Sequence, residues 1–175
     1  MGHTATLLAN GEVLIAGGSP ANAELYDPVT DAFATAGTLT TARRACTAAL
    51  LTNGKVLIAG GNNGGIPSLF VPFSTAELYD PAGRAFAPTG PMPRAGSGRT
   101  ATLLPGGKVL VVGGSDGAVV LASADLYDPV SETFAATSPM SGPRIGHTAT
   151  MLANGEVLVA GGSDGVDYLA SAELY

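Results

Sequence analysis

Residues 2–18 read GHTATLLANGEVLIAGG and residues 146–162 read GHTATMLANGEVLVAGG, so the chain repeats itself almost letter for letter at an offset of 144 residues. The two copies bracket further, looser ones. Gly-Gly pairs recur at 17–18, 60–61, 113–114 and 161–162, and the stretches AELY or ADLY begin at Ala23, Ala76, Ala124 and Ala172. Phe33, Phe86 and Phe134 each follow the tyrosine of such a stretch by seven residues. The unit is about 48 residues long, and a fixed period of this size marks a repeat architecture in which each unit must bury its apolar face on a neighbour.

Each unit holds four strand signals. Segment a is HTATLLA, CTAALLT, RTATLLP or HTATMLA, and segment b is EVLIAGG, KVLIAGG, KVLVVGG or EVLVAGG. Between them stand Asn10-Gly11, Asn53-Gly54, Gly106-Gly107 and Asn154-Gly155, which predict a two-residue type I′ hairpin. Segment c is the AELYD stretch, and Asp27-Pro28, Asp80-Pro81 and Asp128-Pro129 then predict a tight turn into segment d with its phenylalanine. Segment b is apolar on both faces, which marks sheets covered on both sides. The chain is therefore all-β: four-stranded antiparallel meanders at this period describe propeller blades. Fifteen strands fall into three full blades and an a–b–c remainder, about three and three-quarter blades. Boundaries are expected near 2–41, 42–93, 94–141 and 142–175, within one propeller segment.

These repeats resemble the kelch family. Arg144, Gly146-His147, Gly161-Gly162 and, one blade earlier, Tyr127-Asp128-Pro129 with Phe134 carry the likeness, although Phe stands where kelch blades usually have Trp. Kelch propellers usually close with six or seven blades, so the resemblance implies part of a larger propeller or a self-associating unit. Uncovered blade faces are large apolar patches, which further blades or a second copy of the chain would cover. Wording of this kind resembles bacterial secreted or cell-surface proteins, an expectation for location only. Residues 1–10 carry no basic-then-apolar leader pattern.

Composition narrows the function. A formal net charge of −6 is the wrong sign for a general nucleic-acid footprint. No stretch approaches the roughly 18 apolar residues of a membrane-spanning helix. The single cysteine, Cys46, excludes an internal disulfide. No cofactor or metal site is called for, and no catalytic motif surfaces. The Gly-rich GGSDG stretches lack the strand–loop–helix context of a phosphate loop.

In an up-and-down meander the d–a and b–c connections share one rim, and there the repeats differ most. Variable loops on a repeat scaffold usually carry function. The d–a segments hold Arg43, Arg44, Arg94, Arg99 and Arg144, five of the eight basic residues. Arg43, Arg94 and Arg144 are read as the repeated position and Arg44 and Arg99 as unrepeated. The b–c loops add Asn62, Asn63, Ser115, Asp116, Ser163, Asp164, Asp167 and Tyr168, together with Leu69, Phe70, Val71 and Phe73 in the longest of them. His3, His147 and Cys46, in equivalent places of segment a, and the acids Glu24, Glu77, Asp125 and Glu173 of segment c are expected to be architectural.

The resulting expectation is a non-catalytic module that recognises a protein, peptide or glycan on this rim. The alternative is a fragment of a kelch-fold enzyme. Galactose-oxidase-like and sialic-acid-epimerase-like enzymes share the fold, but a Cys–Tyr link and paired histidines around copper find no counterpart in Cys46, His3 and His147.

Overall fold

A computed structural model describes residues 2–65 and 70–175. The described residues form fifteen strands and no helix. The first sheet is β1 (His3–Leu7), β2 (Val13–Gly17), β3 (Asn22–Asp27) and β4 (Ala32–Thr38). The second is β5 (Thr47–Leu50), β6 (Val56–Ala59), β7 (Ala76–Asp80) and β8 (Ala85–Thr89), and the third β9 (Thr100–Leu103), β10 (Val109–Val112), β11 (Ala124–Asp128) and β12 (Thr133–Thr137). The fourth has three strands, β13 (Thr148–Met151), β14 (Val157–Ala160) and β15 (Ala172–Leu174). Each sheet is an antiparallel meander in chain order. First strands pack side by side, β1 on β5, β5 on β9 and β9 on β13, so the sheets are propeller blades with segment a innermost.

The first hairpin differs from the two-residue type I′ turn that Asn-Gly predicts. Only the glycine takes positive φ, 91° at Gly11, 84° at Gly54, 81° at Gly107 and 89° at Gly155. Gly11 N–H donates to Leu8 O (3.0 Å) and Leu8 N–H donates to Glu12 O (2.8 Å), closing a type I turn with a glycine bulge. The asparagine has another task. Asn10 Oδ1 accepts the Glu12 N–H at 3.1 Å, a bond repeated at Asn53 and Asn154, and it holds the asparagine in the right-handed region. The c–d turns follow the expected aspartate logic: Asp27, Asp80 and Asp128 each accept the N–H two residues on.

The core lies between blades. Segment b alternates its two apolar faces between the two neighbours. Val56, Ile58 and Tyr79 pack against Leu14, Leu25 and Ala36 of the first blade, while Leu57 and Ala59 meet Val109, Val111 and Tyr127 of the third. Leu110 and Val112 then meet Val157 and Val159 of the fourth. Full burial of side chains such as Val56 and Ile58, at 0% exposure, contributes roughly 1.5–3 kcal/mol each. The tyrosine of segment c stacks on its own phenylalanine at 4.8–5.0 Å in all three complete blades, so Phe fills the aromatic place without Trp.

Candidate binding rim

The rim is built by backbone bridges. Arg44, Ser97 and Ile145 of the d–a segments pair with Asn62, Ser115 and Ser163 at the start of the b–c loops, which pair in turn with Pro72, Val120 and Tyr168 at their ends. The start of each b–c loop is thus the middle of a short three-part ladder, with the d–a segment on one side and the loop's end on the other. The tips are tied down further by their own side chains. Asp116 Oδ1 accepts the N–H groups of Ala118 and Val119, and Asp164 Oδ1 those of Val166 and Asp167. These bonds favour the charged form and hold both carboxyls below the usual carboxylate range. Ser115 and Ser163 accept the N–H of Gly117 and Gly165 with their hydroxyls, and the buried Asn62 accepts that of Gly64. Asn63 accepts from Gly65 and Val71.

The structure separates the five arginines. Arg43 is fully buried, and its Nη2 donates to Glu77 Oε1 at 2.7 Å while its Nη1 reaches Gly60 O and Thr75 O at 2.8 and 3.0 Å. Arg144 repeats the arrangement on Glu173, Gly161 O and Ser171 O. The third member is Arg99, not Arg94. Its Nη1 donates to the buried Asp125 at 2.8 Å. The register explains the exchange. Arg43 and Arg144 stand four residues before Thr47 and Thr148, where the third repeat has Gly96 before Thr100. Arg99 stands one residue before Thr100, in the place of Cys46 and His147, and its guanidinium runs back over Gly96 so closely that a Cβ there would strike Nε. One guanidinium serves each joint, from either of two positions, and the shorter Asp125 goes with the displaced one.

Burial dominates this third pair: it pushes the Asp125 carboxyl up and the Arg99 guanidinium down, though each charge pulls the other back. At Glu173 burial also pushes upward, but the Ser141 N–H and Arg144 outweigh it and leave the carboxyl below its ordinary value. Cys46 is a buried filler whose thiol is pushed up to about 11 by burial, which leaves it unreactive. His147 is buried, its Nε2 3.0 Å from Thr100 Oγ1, and burial followed by Arg144 lowers its pKa.

What remains at the surface is narrower than the arginine count suggests. Arg94 is 56% exposed and pairs with Asp116 at 2.9 Å. Its carbonyl receives Arg99 Nη2 at 3.0 Å, so the buried arginine anchors the backbone from which the exposed one projects. Arg44 is half-buried, stretched over Gly64. Phe73 turns inward, its ring 5.7 Å from the Arg43 guanidinium carbon. Phe70 lies across Gly117 of the next loop, where a side chain would collide with it. Val71 and Val119, at the tips of the second and third loops, are 50% and 54% exposed. A hollow of about 440 Å³ opens between Gly65, Phe70, Asp116, Gly117 and Ala118. Leu69 lies outside the described residues. Val119 was not legible as a rim residue, because AVVLA reads like strand sequence; its register to Val71, each standing one residue before the loop-end bridge partner (Val120 and Pro72), is the signal that finds it.

Residues 98–141 match the family model of the kelch motif, a span that includes all four strands of the third blade. The third blade thus carries a kelch motif, and the four sheets have the kelch-type propeller fold. The chain's fold is that of the kelch-type propeller YjhT, whose solved structure superposes with a TM-score of 0.80 at 14% sequence identity, over 93% of this chain. A likeness at that identity concerns the fold alone, and the chain spans 57% of the length of YjhT. Comparison with curated proteins gives no match.

Proposed function

We propose that the chain is a non-catalytic recognition module that takes a protein, peptide or glycan on the rim formed by its d–a and b–c loops. The observation that supports this reading is the surface at the second and third b–c loops. There Phe70, Val71 and Val119 offer apolar surface beside the exposed Arg94, while the polar groups of the same loops are spent on holding the loops in shape. A rigid apolar platform with one cation at its edge suits an acidic, apolar-anchored peptide or the hydrophobic face of a sugar. Arg44 and Tyr168 flank it on the neighbouring loops. Arg43, Arg99 and Arg144 hold the platform up from below and take no part in contact. The chain is a single propeller segment in this reading, with blades near 2–41, 42–93, 94–141 and 142–175.

The test is a screen of the purified chain against a random peptide library and a glycan array, followed by Val71→Asp with Val119→Asp, and Arg94→Ala. A ligand whose affinity drops at least tenfold in these variants, with melting unchanged, supports the rim. A ligand indifferent to all of them removes it.

A further inference from the structure

The Asn-Gly turns between segments a and b are not alike. Asn10, Asn53 and Asn154 are exposed, and each accepts with its amide oxygen the N–H two residues on, at 3.1 Å. The first and last are held a second time. Asn10 Nδ2 donates to Glu12 Oε2 at 2.7 Å, and Asn154 Nδ2 donates to Glu156 Oε2 at 2.6 Å. The second repeat reads Asn53-Gly54-Lys55, with a cation in place of the carboxylate, and among the described residues nothing accepts from Asn53 Nδ2. The third repeat has Gly106-Gly107 and no asparagine at this place.

An asparagine before glycine is open to attack by its own backbone, because glycine has no Cβ to shield its nitrogen. The Gly54 nitrogen loses its proton and bonds to Asn53 Cγ, closing a five-membered succinimide. The Cγ–Nδ2 bond breaks, and the amide nitrogen takes up a proton and leaves as ammonia. Water then opens the ring at either carbonyl, to aspartate or to isoaspartate, in which the chain runs through the side-chain carboxyl. Two features retard this attack at Asn10 and Asn154 and are missing at Asn53. To meet the glycine nitrogen, Cγ must swing off its hydrogen bonds, and Asn10 and Asn154 break a charge-assisted one that Asn53 lacks. The nitrogen turns negative as its proton leaves, which the Glu12 or Glu156 carboxylate opposes and the Lys55 ammonium favours. In all three turns the glycine N–H donates to a leucine carbonyl at 3.0 Å, so the difference lies in the side chains. Asn63-Gly64, on the opposite rim, is a separate case: its amide oxygen takes the N–H of Gly65 and Val71, and the Gly64 N–H goes to Asn62 Oδ1.

We infer that Asn53 is the self-modification site of these turns, converting with water to aspartate and isoaspartate. The consequence falls on the core. The Leu51 N–H donates to Lys55 O at 2.8 Å to close the turn, and Leu51 and Val56 on either side are 3% and 0% exposed. Isoaspartate adds one carbon to the backbone inside that closed turn, whereas aspartate keeps the length and the acceptor for the Lys55 N–H. The inference does not rest on the proposed binding rim, which lies at the other end of the strands.

The folded chain, held at mildly alkaline pH beside a sample unfolded in urea, is digested in acid and followed by peptide mass spectrometry. In the folded chain Asn53 should convert at least about fivefold faster than Asn10 and Asn154, the effect of one exposed charge-assisted hydrogen bond. In urea the three rates should come together. Lys55→Glu should slow Asn53 to the rate of Asn10, and Glu12→Lys should raise Asn10 to the rate of Asn53. Equal rates in the folded chain, a ranking that persists unchanged in urea, or exchanges that leave the ranking as it was would overturn the inference.

Discussion

Glu24 and Glu77 stand at the same place in successive blades, one exposed and without an ion pair among the described residues, the other 1% exposed and gripped from two sides. The same contrast runs through the whole of these two surfaces. Phe33 is 63% exposed where Phe86 and Phe134 are half-buried, and His3 is exposed where His147 is buried. The tyrosine hydroxyls differ too. Tyr127 meets Thr89 of the preceding blade at 2.9 Å and Tyr175 meets Thr137, whereas Tyr26 turns to Asp31 of its own turn. Identical residues thus become core or surface according to whether a neighbouring blade lies against them. In a repeat protein the environment of a residue is set by its neighbour as much as by its own sequence.

The sharpest way to break this comparison is to remove the guanidinium from a covered joint. Arg43→Ala leaves Glu77 charged and buried without its partner, and the expected loss is about 3–5 kcal/mol. Glu24→Gln, at the open face, should change stability by no more than about 0.5 kcal/mol. Urea unfolding of both variants measures the difference, and similar losses would show that Glu24 is held by something more than solvent.

Next comes the exchanged arginine. Gly96→Ala in the native background drives a methyl group into Arg99 and should cost about 1–3 kcal/mol, but in an Arg99→Ala background the space is empty. A double-mutant cycle should therefore return a coupling of about 1 kcal/mol or more. Additive effects would separate Gly96 from the arginine.

A smaller contrast concerns the tyrosines. Tyr79 has a buried hydroxyl without a hydrogen-bond partner, because Ala36 stands three residues after Phe33 where Thr89 and Thr137 follow Phe86 and Phe134. Tyr127→Phe should cost about 1 kcal/mol and Tyr79→Phe nothing or less than nothing. Denaturation midpoints of the two variants decide it.

The smallest effect is on pH. His147 has its folded pKa lowered by burial and by Arg144 from the ordinary 6.5, so the unfolded chain binds the proton more readily. Stability is then full above about pH 6.5 and declines as the pH falls below it. His147→Cys, which copies the second blade, should flatten that decline in melting temperature between pH 7 and 5.

The sequence made the blades legible because their signals are local and repeated: the Asn-Gly and Asp-Pro turns, the two-faced segment b, the spacing of Tyr and Phe. It misassigned the arginines for a physical reason. Arg94 matches its neighbours by being the arginine nearest the start of the segment, but a side chain is placed by its distance from the strand it enters, and by that measure Arg99 is the one that reaches the joint. The hairpin was misread for a similar reason, since Asn10 spends its side chain on Glu12 in place of taking positive φ. The rim platform was hidden because Val71 and Val119 reach the surface only where their loops return to bridge Asn62 and Ser115 through Pro72 and Val120.

The exchanged arginine bears on how such an array can change with time. Tandem copies invite unequal recombination, which splices the front of one repeat to the back of another. A splice between Gly96 and Arg99 that joins the third repeat to the strand of the second yields Gly96 with Cys46 and no guanidinium at all. The reverse splice yields Arg43 with Arg99, two cations for one acid. Either product leaves a buried charge unmatched, so the third blade is shielded from being overwritten by its neighbours. Its loops are free to diverge on a scaffold that the other copies cannot easily correct.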